Sequence, residues 1–104
     1  MKKILILAAA MALSATVSAA DPAAGREKAK ACAVCHGEKG VSQVADFPKL
    51  AGQHQDYLVR ALTDYKSGVR KNAIMAGQVA NLKRQDIADL AAYYSSLQAL
   101  TTKY

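Results

Sequence analysis

The sequence predicts an all-α domain, with three main helices joined by two loops too long to be simple connectors. Apolar residues recur at helical spacing in two stretches, and a third is made of strong helix formers behind a helix-start signal. Glycine and proline punctuate the segments between them. No stretch of the domain alternates with the period of two that marks a strand. At 104 residues the chain makes one domain and no more.

The first twenty residues are not counted in it. Met1-Lys2-Lys3 is a short basic region, Ile4 to Leu13 (ILILAAAMAL) is apolar, and Val17-Ser18-Ala19 has the small-x-small form cut by signal peptidase. Ser18-Ala19-Ala20 offers an equivalent cut. Residues 1–20 are therefore expected to be a signal peptide cleaved after Ala19 or Ala20, leaving residues 21–104 as the domain. An uncleaved anchor fits less well, because a spanning helix needs about twenty strongly apolar residues and Ser14, Thr16 and Ser18 dilute this run.

The first helix opens at Asp21-Pro22, an N-cap residue followed by proline at the first helical position. It continues through AAGREKAKACAVC and carries Cys32 and Cys35 on its last turns. Gly37 and Gly40 then break the pattern, and Glu38 to Pro48 (EKGVSQVADFP) reads as an irregular loop. The second helix spans Gln53 to Ser67, with Tyr57, Leu58, Ala61, Leu62 and Tyr65 on one face and Gly68 as a stop. Asp56, Arg60 and Asp64 take the water side. Val69 to Leu82 has no convincing period and is read as a second irregular stretch, holding Met75. The third helix runs from about Arg84 to Leu97 with a stripe of Ile87, Leu90, Ala91, Tyr94 and Leu97. Lys83 stands where a capping Ser or Asp is expected, and Asp86 in the first turn partly compensates through the helix dipole.

Removing the leader takes Lys2 and Lys3 with it, so twelve basic residues face eight acidic ones and the formal charge falls from +6 to +4. The charges are interspersed and no Lys/Arg run reaches five, which argues against nucleic-acid binding. A domain of about 85 residues buries only a little over ~60% of its unfolded surface, so its apolar core is marginal and it needs a staple.

The chain holds only two cysteines and two histidines, and three of these four lie in CAVCHG, Cys32 to Gly37. Outside the cytoplasm such thiols are oxidised or ligated rather than left free. C-x-x-C-H is the attachment signature of c-type haem: the thiols, one helical turn apart, add to the two porphyrin vinyl groups, and the following histidine offers its imidazole to the iron. Three other uses compete. A thioredoxin-like pair needs a βαβ framework that the sequence does not show. A zinc site built from Cys32, Cys35, His36 and His54 asks adjacent residues to share one tetrahedral ion. A disulfide across two residues is short and strained and gives His36 no role.

With His36 on the iron, the second axial position decides what the protein does. Once the leader is removed Met75 is the only methionine, and it lies between helices rather than in a core stripe, which weakens its reading as core filler. His54 is the rival, at the mouth of the second helix. An iron with two firm protein ligands has no place for substrate and only gains or loses an electron; a thioether opposite an imidazole favours the ferrous state.

CAVCHG, FPKLAGQ (Phe47 to Gln53), Tyr57-Leu58, Met75 and DIADLAAYYSSL (Asp86 to Leu97) together resemble the class I c-type cytochromes. The likeness covers the whole mature chain, and is nearest to a single-haem version of one half of a periplasmic dihaem cytochrome c4. The resemblance implies the small class I cytochrome c fold, with helices and long loops wrapped round one haem c bound through two thioethers. It implies thioether bonds at Cys32 and Cys35, His36 as proximal and Met75 as distal ligand, and Pro48 giving its backbone carbonyl to the His36 ring. It matches Gly25 to the glycine where first and last helices cross, opposite Tyr93 or Tyr94. Two departures stand out: the first helix lacks the aromatic common in relatives, so the crossing is expected to be lighter, and Lys83 replaces a capping serine.

The expected function is a periplasmic one-electron carrier in a respiratory chain, not an enzyme. Its expected partners are redox proteins such as a membrane cytochrome complex, a dehydrogenase or a terminal oxidase, any membrane association being peripheral. Lys39, Lys49, Arg70 and Lys71 flank the two loops and suggest a basic ring that steers acidic partners, against the alternative of a generally solvated surface. A peroxidase-like or gas-sensing protein with an open iron, and a haem module of a larger complex, remain the other readings.

Overall fold

A computed structural model of the chain describes residues 18–97; the leader expected over residues 1–20 lies almost wholly outside them. Among the described residues the order is α1 (Pro22–Lys28), α2 (Lys30–His36), α3 (Gln55–Ser67), α4 (Ala73–Val79) and α5 (Arg84–Ser96), with no strand. No helix among them is long and apolar enough to cross a membrane.

α1 starts as its sequence dictates. The Asp21 carboxylate accepts from the Ala23 amide at 2.9 Å and Pro22 occupies the first turn, where its missing N–H costs nothing. The single helix expected through Cys35 is instead divided at Ala29 (φ −75°, ψ −6°). The division is a bend rather than a stop, since Ala29 still donates to Gly25 O at 2.8 Å and Ala33 to Ala29 O at 2.9 Å. Its cause is packing: Ala29 is pressed into the core with Leu58, Leu90, Ala91 and Tyr94.

α3 ends at Gly68, whose φ of 87° is the left-handed conformation glycine tolerates best. Asp64 O accepts the Gly68 and Arg70 amides there, both at 3.0 Å. The second irregular stretch needs correction. It contains α4, a seven-residue helix capped by Asn72, whose side chain accepts from the Met75 amide at 3.0 Å. Two turns are too few to print a hydrophobic period, so the cap was the only local signal. α5 buries Ile87, Leu90, Ala91 and Tyr94 of the expected stripe, and Leu97, its fifth member, lies half-buried at the C-cap. Lys83 caps it by the backbone, its amide donating to Asp86 Oδ2 at 2.8 Å.

α1 and α3 both pack on α5, and α4 rests on α3. The crossing of α1 over α5 is made by backbone contact. A Cβ placed on Gly25 would lie 2.0 Å from Asp89 O and 2.8 Å from Tyr93 Cβ, so only glycine lets the helices come this close. The crossing partner is thus Tyr93, and Tyr94 faces the core. In place of an aromatic from α1, Lys28 Nζ reaches the buried Asp89 at 2.6 Å and Asp86 at 2.9 Å.

Candidate functional site

Cys32, Cys35 and His36 occupy the last two turns of α2. A spacing of three puts both sulfurs on one face of the helix. They are free thiols and half-buried. The helix stops where it does because Gly37 takes φ 84°; a side chain there would drive its Cβ to 2.1 Å from Val41 O. The chain then loops back, and Gly40 O closes the loop by accepting the Leu50 and Ala51 amides at 2.8 and 3.0 Å.

That closure delivers Pro48. Its carbonyl oxygen lies 2.8 Å from His36 Nδ1, the contact that the family resemblance implies. A carbonyl only accepts, so Nδ1 donates in this contact and Nε2 is the ring nitrogen left outside it. The imidazole is 6% exposed and stands edge-on to the Phe47 ring at 6.4 Å. His36 is thus an oriented ring with Nε2 left outside this contact, and its orientation is fixed by the loop rather than by α2 alone.

Cys32 packs against the core beside Tyr94. Burial pushes its thiol up from the usual value, with the Tyr94 hydroxyl pulling weakly the other way. A catalytic dithiol needs the opposite shift, toward thiolate, and there is no βαβ framework among the described residues, so a thioredoxin-like use does not fit. Nor is there, among the described residues, any cluster of three His, Cys, Asp or Glu placed to hold a cation, which leaves the four-residue zinc set unassembled.

The two axial candidates sit on separate elements. Met75 is half-buried on α4, across the fold's sequence from α2. The segment leading to it is tied down by Arg70, which donates to the Tyr57 hydroxyl at 3.1 Å and lies 4.7 Å above the Tyr65 ring. Tyr57 is accordingly half exposed, outside the stripe it was counted in. His54 is exposed at the N-cap of α3 and its side chain caps nothing. The residues fit a covalently held haem: two unpaired thiols a turn apart, a buried imidazole with a free Nε2, and a thioether on a capped helix. Sequence reasoning missed two contributors. Asn72, before AIM, carried a legible cap signal; the Tyr94 hydroxyl had none, because only the fold brings Cys32 against the cluster that holds Tyr94.

Comparison with known proteins follows the same lines. The family model described as cytochrome c matches residues 22–98. The chain is 48% identical over 79 residues to cytochrome c4 of Pseudomonas aeruginosa, covering 76% of this chain and 39% of that protein. It is 42% identical over 81 residues to cytochrome c-554(548) of Halomonas halodenitrificans, covering 75% of this chain and 98% of that one. The crystal structure of reduced recombinant cytochrome c4 from Pseudomonas stutzeri superposes with a TM-score of 0.73 at 42% identity, over 77% of this chain and 47% of that chain. The chain thus spans about two fifths of the cytochrome c4 it resembles and nearly all of c-554(548).

Proposed function

The chain belongs to the cytochrome c family, and from that premise we propose that it is a periplasmic one-electron carrier with a single haem c held by Cys32 and Cys35 and ligated by His36 and Met75. Bound haem supplies the one-electron couple between ferric and ferrous iron. The chain does the rest. His36 presents Nε2 because Pro48 holds the proton on Nδ1, and that hydrogen bond makes the imidazole a stronger donor. Met75, the soft ligand, biases the site toward the ferrous state. Burial of His36 keeps water from the proximal side. Val34, between the two cysteines, is 85% exposed, so the attachment helix lies at the surface and electrons need not cross the core to leave. The leader pattern supports export to the periplasm and, with it, service in a respiratory chain between redox proteins rather than catalysis.

The observation that carries this reading is the His36 to Pro48 bond directly after two unpaired thiols. It is tested by spectra of oxidised and reduced protein, made in a host with haem-attachment machinery, alongside Met75→Ala. We expect haem to survive acid-acetone extraction, and the far-red ferric band of thioether ligation to be present in the wild type and lost in the variant. A wild type already high-spin that binds carbon monoxide readily would remove Met75 from the iron and point to an enzyme or sensor.

A further inference from the structure

Tyr94 is 3% exposed, and its hydroxyl is buried without a hydrogen-bond partner among the described residues. Such a group is rare, because burying an unbonded hydroxyl forfeits its bonds to water. It is also held in place. A Cβ built on Gly40 would lie 3.1 Å from Tyr94 Cδ1, so the backbone walls one side of the ring, and the Tyr93 ring lies 5.1 Å away on another. Cys32 packs against the same buried cluster as this ring, and each group shifts the other's ionisation.

We propose that the Tyr94 hydroxyl is a positioning donor to the Cys32 sulfur once that sulfur is a thioether, holding the haem edge in one orientation and keeping the reduction potential up. The inference rests on the reading that Cys32 carries haem. When the thiol adds across a vinyl group, sulfur bonds one carbon and the thiol proton goes to the other. The sulfur is then an acceptor with no proton of its own, and the hydroxyl holds the only proton the pair can share. Donation draws electron density from the sulfur and so from the porphyrin substituent, which favours the ferrous form.

The test uses the holoprotein and Tyr94→Phe, which keeps the ring and the packing. Removing the hydroxyl should lower the reduction potential and shift the thioether C–S stretch in resonance Raman spectra. In a Cys32→Ala background, where Cys35 alone holds the haem, the same substitution should leave the potential unchanged, because the pair's coupling is gone. An unchanged potential and C–S mode in the two-cysteine protein would overturn the proposal. So would an equal potential shift in both backgrounds, which would make the hydroxyl a distant dipole rather than a donor to Cys32. If haem were lost from the wild type on acid-acetone extraction, the attachment itself would fall and the role of Tyr94 with it, an outcome distinct from the other two.

Discussion

Asp89 shows how much one residue can do where α1 has few side chains to pack. Its carboxylate accepts from Lys28 Nζ at 2.6 Å, Gln85 Nε2 at 2.8 Å and the Asp21 amide at 2.9 Å. Burial alone would push this carboxyl up, but the ammonium and the two amides more than offset it and hold it below the usual carboxylate value. The Lys83 amide, followed by Lys28, holds Asp86 down as well. Because both folded-state values lie below their unfolded ones, the stabilisation is fully present above the ordinary carboxylate pKa of 3.8 and drains as pH falls through the lower folded values. Thermal melts of the holoprotein from pH 7 down to about 2.5 should therefore steepen in their loss of Tm below pH ~4. Asp89→Asn should start lower at neutral pH and fall less across that window. Parallel curves for the two proteins would show that Asp89 contributes nothing to the acid limb. In the sequence Asp89 lies outside the α5 stripe and nothing local singles it out. Its burial became visible only with α1 laid across it.

At the level of elements, the α1–α5 crossing was expected to be light for want of an aromatic in α1. The structure shows a close crossing of another kind, backbone against backbone at Gly25 with ion pairs beside it. Gly25→Ala should cost on the order of 3 kcal/mol, the upper end for overpacking, because the atom opposite is main chain and cannot turn aside. Denaturant midpoints of the two proteins would measure it, and an unshifted midpoint would mean that the helices part without loss. Helix identity was legible wherever a stripe ran for three turns or more, as in α3 and α5. It was not legible at α4, where seven residues hold too little pattern, or at the bend of Ala29, where uniformly helix-favouring residues surround a break set by the core.

For the whole molecule, charge placement matters more than charge total. Lys39, Lys49, Arg70 and Lys71 are exposed and take part in none of the ion pairs among the described residues. They lie on the loop after the CxxCH helix and on the segment before α4, next to the two helices that bear the proposed ligands. Electron transfer to an acidic redox partner should slow as ionic strength rises from about 0.01 to 0.15 M, over which the screening length falls from ~30 to ~8 Å. Stopped-flow rates across that range would check it. Rates that stay level would show that these residues are a solvated surface and nothing more.

Spacing within a few residues is local chemistry, and the sequence alone determined whatever depends on it: thiols a helical turn apart with an imidazole next to them, a helix start at Asp21-Pro22, a stop at Gly68, and an all-α plan. The family likeness extended this to Pro48 and Gly25, positions that no local rule singles out. Tertiary structure decided which contacts those groups make. The hydrogen bond of His36 Nδ1 depends on Pro48, twelve residues later, brought back by a loop closed on Gly40 O, and the orphan hydroxyl of Tyr94 depends on how α5 packs into the core. Such pairings are set by the net packing of distant segments, where chain entropy is weighed against burial, and no window of sequence contains that balance.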